Sequence, residues 1–598
     1  MFRILLPSLQ LLRNALDGQK RLLPLVVVLG LCSAALEGVG IGLIIPMLGI
    51  IAGDQDPAAL SGVSSLFQQV GSGLDDRERL IVIAAAAFGL ICLKNVLAFA
   101  NTVLATFIYG KAGHAIRSAL SGQLLRIGYP FFMKENPGRL LNIISNESWR
   151  ASDAIQTVLA ALVNGAAAVI LLAFLLLLSW QMTLFVALGL VLVQLVHYVL
   201  SATLTGPSRD VTSFNGELAA RMLHLVHAGR LIRIFGQEAR EKAAFDGASD
   251  SVRRAAFALQ ARQGMLPPLT ETLHSALFLG VVVSAWSAGI SFPVIVAFVV
   301  LLYRLQPHVR ALQLSWSQIQ GWSGSLEEVH WLLDSSGKPR PPEGREPFSG
   351  LRQRLRFDDV TFRYPSSDSR DVVLQSAAFE IRGGRSTALI GRSGAGKTTI
   401  VNLLCRFVEP DEGNILVDDV PLNRIDPVQW RSRIALASQD LELVDGTILE
   451  NITYGREATT AAEVEHAARM AEAHGFIEGL PQGYQTVVGY RGASLSAGQR
   501  QRVALARALV RDPDILILDE ATNAVDGLSE AAIVETLKSR AGRRTTIVIS
   551  HHRSTISFCD EVVILGGGQV KGQTAFADVA ALSMDQLYEH ETVEKRRA

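Results

Sequence analysis

The run Gly391-Arg392-Ser393-Gly394-Ala395-Gly396-Lys397-Thr398-Thr399 carries the residue types needed to hold a chain of phosphates. Glycines let backbone N–H groups turn inward around an anion where a Cβ would interfere. The Lys397 ammonium can reach β- and γ-phosphates, and the Thr398 hydroxyl is a hard oxygen donor of the kind Mg²⁺ takes. The flanks supply the required context. Residues 386–390 (STALI) read as a buried strand and 399–404 (TIVNLL) as a helix whose N-terminus adds partial positive charge. This pattern points to a nucleoside triphosphate, with ATP and Mg²⁺ as the expected cofactors.

A second apolar strand, 515–518 (ILIL), ends in two carboxylates, Asp519 and Glu520. At a strand end Asp519 can hold Mg²⁺ through water, and Glu520 can orient or deprotonate an attacking water. Two acids after a strand are often only a solvated turn; the phosphate loop upstream gives them work. Further on, Leu495-Ser496-Ala497-Gly498-Gln499 opens a helix at 501–510, so that its backbone amides and Ser496 can face a phosphate.

The elements that must carry these groups occupy a chain of 598 residues, too long for one core. Hydrophobic residues make up 49%, and the mean hydropathy is +0.28, which suits one membrane half joined to one soluble half. Formal net charge is zero, which argues against a nucleic-acid binder relying on bulk positive charge. Cys32, Cys92, Cys405 and Cys559 form no CxxC or zinc-like cluster, so no disulfide framework is expected. Apolar runs of membrane-crossing length fall at 22–52, 80–110, 155–180, 182–205, 269–290 and 293–314. Long polar connectors at 111–154 and 206–268 are rich in Lys and Arg, including Lys111, Arg117, Arg139, Arg230 and Arg233. Asp54, Asp56, Asp75 and Asp76 follow the first run instead. Positive charge kept on one side places both connectors, both termini and the nucleotide half in the cytoplasm. The basic start, 1–20, lacks a short apolar core with a cleavage site and reads as a cytoplasmic lead-in helix. A Pro/Gly-rich linker at 334–344 precedes alternating strands and helices.

With these residues in place, the nucleotide half resembles the ATPase domain of ATP-binding-cassette transporters, and nearly the whole chain resembles a half-size exporter of that superfamily. The resemblance implies a membrane all-α six-helix transmembrane domain fused to a cytoplasmic α/β P-loop NTPase domain. Its expected boundaries are a lead-in helix over 1–20, a transmembrane domain over 21–333, a linker over 334–350 and the nucleotide-binding domain over 351–598. The 495–499 segment matches the family signature, which implies that Ser496, Gly498 and Gln499 contact ATP held by a second subunit. A homodimer is therefore expected, since Lys397, Glu520, Ser496 and His551 are all present. Tyr364 resembles the aromatic that stacks on adenine, although a Tyr-Pro pair can simply end a strand. Gln439 resembles the glutamine linking Mg²⁺ and water to the membrane interface, and Asp526 the aspartate of the loop reaching the opposite site. His551 resembles the switch histidine at the γ-phosphate, with His552 adjacent. Ala497, Val487, Tyr490, Asn523 and Val525 depart from the residues commonest in the family.

Residues 131–142 (FFMKENPGRLLN) resemble a coupling segment seated on the ATPase domain, with 215–217 as the equivalent in the second connector. Glu37, Lys94 and Arg304 are ionisable residues inside apolar runs, each about 16–23 Å from where its run begins at about 1.5 Å per residue. Such residues line a cavity or pair with one another. One reading is a net positive site for an anionic, amphipathic substrate. In the other, Glu37 pairs with Lys94 structurally while Arg304 faces cytoplasmic water. Residues 37–46 and 303–307 are similar to exporters that flip lipid-linked oligosaccharides. The expected function is ATP-driven export or flipping of an anionic lipid-linked or glycolipid substrate in a bacterial inner membrane, with membrane lipids as partners. A multidrug or small-peptide exporter is the alternative, and an ATP-gated channel or regulatory module comes behind both.

Overall fold

The computed structural model describes residues 17–43, 47, 50, 75–287, 292–340, 343–364, 372–438, 443–456, 458–489, 492–523 and 525–589. The chain divides into two compact units. One comprises Met1–Ile127 with Glu135–Gly337, the other Gly128–Lys134 with Lys338–Ala598.

The first unit is helical: α1 (Leu23–Gly42), α2 (Asp76–Arg126), α3 (Pro137–Asn142), α4 (Ser148–Leu178), α5 (Trp180–Ser201), α6 (Thr205–His227), α7 (Gly229–Ile234), α8 (Glu238–Ser287), α9 (Phe292–Gly321) and α10 (Ser323–Leu333). Among the described residues, six helical stretches are long and apolar enough to cross a bilayer, in the order the sequence predicts. α2 alone has 51 residues, roughly 75 Å at ~1.5 Å per residue, against a hydrocarbon thickness of about 30 Å. The polar connectors are therefore continuations of the spanning helices. α2 runs on through Lys111, Arg117 and Arg126, and α8 begins at Glu238, well before its apolar part. Only 6% of the most apolar window of Arg77–Arg126 is buried within the chain, so the rest needs lipid or another protein surface.

Close approach inside this unit depends on small residues. A Cβ at Gly38 of α1 would lie 2.3 Å from the Phe174 ring of α4, and one at Gly189 of α5 would lie 2.3 Å from Leu277 of α8. Between α3 and α4 the helix widens into a π-turn, Ile143–Glu147, where buried Glu147 accepts a 2.8 Å bond from Asn142 Nδ2. Two adjacent carboxylates of α10 are gripped from two other helices. Arg139 of α3 holds Glu328 at 3.0 Å and Arg209 of α6 holds Glu327 at 2.7 Å. The Arg139 guanidinium also lies 3.9 Å over the Trp331 ring. Residues 215–217, expected to mark a coupling segment, instead sit mid-helix in α6. Gly216 lies within that stretch, and the helix runs through it unbroken. The chain turns further on, around α7, where Gly236 takes φ +58.

The second unit holds two sheets. Strands β1 (Arg354–Phe362), β2 (Leu374–Arg382), β3 (Ser386–Gly391), β4 (Glu412–Val417), β5 (Val420–Pro421), β6 (Ile434–Ala437), β7 (Ile515–Asp519), β8 (Thr545–Ile549), β9 (Glu561–Gly566) and β10 (Gln569–Ala575) arrange as β2-β1-β4-β5 and β10-β9-β3-β8-β7-β6. In the larger sheet β3, β6, β7, β8 and β9 pair in parallel, and β3, β7 and β8 are buried along their whole length. Continuous apolar strands of this kind require cover on both faces. The helices relevant to the site are α11 (Lys397–Leu404), α12 (Ala497–Leu509) and α13 (Gly527–Arg540). Gly128–Lys134 belongs to this unit: Gly128 N–H donates to Pro339 O at 2.8 Å, and the Tyr129 ring centroid lies 4.9 Å from that of Phe407.

Trp430, fully buried, donates from Nε1 to Leu404 O at 2.7 Å, next to buried Cys405, whose thiol burial pushes up to about 12. A thiolate fraction of about 10⁻⁴ at pH 8 should leave Cys405 unlabelled by a maleimide in the native protein. Trp430→Ala, expected to cost about 3–5 kcal/mol, should bring it into reach. Mass-spectrometric mapping of labelled peptides checks this, and native labelling at the rate of a free thiol would contradict it.

Candidate functional site

The phosphate loop is built by two backbone conformations that only glycine enters freely. Gly394 takes φ +79 and Gly396, which caps α11, takes φ +100. A Cβ at Gly396 would come 2.6 Å from Leu374 Cδ2, whereas nothing lies within 4 Å of one at Gly394. One glycine is thus pressed against the protein while the other faces the open side of the cradle. Lys397 folds back over the loop, donating to Gly391 O at 2.7 Å and Arg392 O at 3.1 Å. Burial pulls its ammonium below the ordinary lysine range, against Glu520 and Asp519, which favour the charged form. A desolvated cation whose hydrogen bonds run to two loop carbonyls is ready to exchange them for phosphate oxygens.

Glu520, one residue past β7, adopts φ +54, a left-handed conformation unusual for a residue with a Cβ. Its N–H donates to Ile549 O at 2.9 Å, and its carbonyl accepts from Gln501 Nε2 of α12 at 3.1 Å. One carboxylate oxygen lies 3.2 Å from His551 Nδ1, and the other accepts from Asn523 Nδ2 at 2.8 Å. The histidine that meets Glu520 is therefore His551. The His552 ring lies tilted beside it with centroids 4.7 Å apart. Asn523 had no place in the sequence-based site, because its reach depends on the left-handed turn at Glu520.

Thr398 is exposed at the start of α11, and Asp519 is buried at the end of β7. Among the described residues no group of three or more His, Cys, Asp or Glu could cage a metal. That donor set fits Mg²⁺, which binds through one or two protein oxygens together with phosphates, better than metals that need a full protein cage. Tyr364 lies beside α11: its hydroxyl accepts from Asn402 Nδ2 at 3.0 Å and lies 3.3 Å from Thr399 Oγ1. Its ring is set edge-on to Phe362 at 4.9 Å. Gln439 and Tyr490 lie outside the described residues.

Ser496 is exposed at the N-cap of α12 and forms a capping box with Gln499. Ser496 Oγ accepts from Gln499 N–H at 3.2 Å, while Gln499 Oε1 accepts from Ser496 N–H at 2.9 Å. The Gln499 side-chain oxygen thus shapes the helix start. Asp526 caps α13 through Ser529 N–H at 3.0 Å, and that bond and the Ser529 hydroxyl hold its carboxyl below the usual range.

In the first unit Glu37, Lys94 and Arg304 meet. Lys94 Nζ lies 2.9 Å from Glu37 Oε2, and Arg304 Nη1 lies 3.4 Å from Glu37 Oε1. Glu37 is 10% exposed and Arg304 is 53% exposed, so the triad is closed on the carboxylate side and open on the guanidinium side. One turn beyond Arg304, His308 Nδ1 lies 2.9 Å from Asn164 Oδ1, and Asn164 Nδ2 donates to Ala160 O at 2.8 Å. Asn164 and His308 escaped sequence analysis, since neither is charged by composition.

The ABC transporter family model matches residues 374–523, and that of the ABC transporter transmembrane region matches 23–306. The ATP-dependent lipid A-core flippase of Chromobacterium violaceum is 33% identical over 503 residues, covering 83% of this chain and 85% of that protein. The protein of the same name from Escherichia coli (strain K12) is 31% identical over 513 residues, covering 84% and 86%. The heterocyst differentiation ATP-binding protein HepA of Nostoc sp. is 29% identical over 559 residues, covering 93% and 91%. A solved structure of a bacterial Atm1-family ABC exporter with ATP bound superposes with a TM-score of 0.81 at 25% identity, covering 98% of this chain and 99% of that one. The chain belongs to the ATP-binding-cassette transporter family as a half-transporter of the exporter type. It is a multi-pass membrane protein whose second unit is an ATPase.

Glu520→Gln should leave ATP binding within about two-fold while reducing steady hydrolysis by about 10²–10⁴, the span of general-base contributions, and should accumulate an ATP-closed dimer. Lys397→Ala should lose nucleotide affinity itself. Binding of a fluorescent ATP analogue beside steady-state turnover separates the two, and substantial turnover in Glu520→Gln would contradict the assignment.

Proposed function

We propose that two copies of this chain form one ATP-driven exporter that moves an amphipathic, anionic lipid-linked or glycolipid substrate by alternating access. Its membrane is the bacterial inner membrane, with the ATPase domains in the cytoplasm. The observation that carries the substrate reading is the meeting of two cations on one carboxylate inside the membrane half. Glu37 neutralises one positive charge and leaves one over, on the side where Arg304 is open. The same helix, α9, also borders an apolar groove of about 440 Å³ lined by Leu190, Leu277, Phe278, Leu302 and Leu305, with Tyr303 and Gln306 at its edge. The groove is lined by Leu302, Leu305, Gln306 and Val309 of α9, and Arg304 leaves another face of the same helix. One helix thus carries both an open charge and apolar volume, which suits a substrate with an anionic head and a hydrocarbon tail. The names of the flippase relatives support a lipid cargo.

The chemistry that powers this movement is assigned to residues of the second unit. Lys397 and the amides of 391–396 hold the phosphates, and Tyr364 offers a face to the adenine. Thr398, Asp519 and Gln439 offer oxygens to Mg²⁺, which when bound supplies charge neutralisation at the phosphate oxygens. Glu520 orients water and takes its proton as the water oxygen bonds to phosphorus and the bond to the leaving ADP breaks. His551 steadies that carboxylate and the γ-phosphate. Ser496, Gly498 and Asp526 complete the site of the other copy. The exposure of Ser496 and Asp526 supports that role, and the presence of every catalytic group in one chain supports a homodimer. The Arg139–Glu328 and Arg209–Glu327 pairs bind α3, α6 and α10 into one block, which supports transmission of closure by rigid helices.

Arg304→Ala tests the substrate reading with little risk to folding, because Lys94 still pairs Glu37. A charge-assisted bond of about 1.5–3 kcal/mol corresponds to a roughly 10- to 100-fold rise in the anionic lipid concentration that half-maximally stimulates hydrolysis. The KM for ATP, set in the other unit, should stay within about two-fold. ATPase titrations in liposomes measure both, and an unmoved lipid response would overturn the reading.

A further inference from the structure

Glu520, assigned to hydrolysis, is held at three oxygens, one of its backbone and both of its carboxylate. Its backbone carbonyl takes Gln501 Nε2 at 3.1 Å, Oε1 lies 3.2 Å from His551 Nδ1, and Oε2 takes Asn523 Nδ2 at 2.8 Å. Asn523 stands three residues past Glu520, and its N–H approaches Glu520 O at 3.4 Å, folding the segment back on itself. The terminal torsion of a glutamate is soft, with a broad two-fold profile rather than sharp wells. Left to itself, Glu520 would present either oxygen in a range of orientations. The amide of Asn523 removes that freedom by occupying Oε2.

We propose that Asn523 is a positioning residue for ATP hydrolysis. Its neutral N–H donor pins Oε2 of Glu520, so that Oε1, beside His551, is the oxygen offered to the attacking water. This rests on the reading of Glu520 as the group that takes the water's proton. A neutral donor suits the task, because it orients a carboxylate without cancelling its charge. The required precision is high. A general base must lie within hydrogen-bond reach of its proton, and a misplacement of about 1 Å can cost about 10² in rate. The Asn523 side chain donates to Glu520 Oε2, so its action on the reaction runs through that carboxylate.

The test is a substitution series in the full-length protein in liposomes, reading kcat and KM for ATP alongside affinity for a fluorescent ATP analogue with the metal chelated. Asn523→Leu keeps the volume and removes the donor. It should lower kcat about ten-fold or more while KM and analogue affinity stay within about two-fold. Asn523→Asp, also of near-equal size, places a second carboxylate against Glu520 and should lower kcat further. Asn523→Gln and Asn523→Ser, which retain a donor, should recover part of the loss. A merely structural role would instead lower analogue affinity together with kcat, and would not separate donor from non-donor variants. The proposal is overturned by wild-type kcat in Asn523→Leu, by equal losses in Leu, Gln and Ser variants, or by losses of affinity matching those of kcat. If Leu fails to assemble, Asp and Ser decide by the same comparison. Failure of the parent reading looks different, because Glu520→Gln itself would then keep turning over.

Discussion

Four parts of the ATPase unit converge on one carboxylate. Glu520 takes its backbone support from β8 through Ile549 and from α12 through Gln501, while its side chain meets His551 beyond β8 and Asn523 on the way to α13. A left-handed turn in a residue with a Cβ persists only where surroundings over-determine it. Here they do, since backbone and side chain of Glu520 are each held by neighbours. α12 opens with the exposed Ser496 and also braces the Glu520 carbonyl through Gln501, so a shift of this helix is felt at Glu520.

The membrane half follows a related constraint, that a charge in hydrocarbon must be answered. Lys94 and Arg304 each take one oxygen of Glu37, leaving one positive charge in excess and one guanidinium half open. Glu37 does pair with Lys94, yet Arg304 joins the same carboxylate rather than standing apart. Glu37 answers both cations and so makes them tolerable within the apolar helices.

Much of this was legible in the residues. The six spans were readable because length and apolarity are the only requirements for crossing a bilayer, and the nucleotide loop because its glycines have few substitutes. Helix extent was harder to read. The polar stretches at 111–126 and 238–268 carry glycines and, at 267–268, two prolines that read as helix breakers, yet α2 and α8 continue through them. Residues 215–217 were misplaced as a coupling segment for the same reason, while the actual turn follows Gly229 and Gly236. The contact that singles out His551 over His552, the use of Gln499 as a cap, and the contact from Asn523 all depend on side-chain directions set by tertiary structure. Spacing along the chain does not carry that information.

The central claim is that hydrolysis in the second unit drives an anionic amphipath across the bilayer. Its most direct test is translocation in liposomes that contain the purified protein and a trace of fluorescent lipid, scored by a membrane-impermeant quencher. The account requires ATP- and Mg²⁺-dependent movement of an anionic lipid or glycolipid, faster than that of a zwitterionic lipid with the same chains. Movement that ignores ATP, or proceeds equally for both head groups, would contradict it.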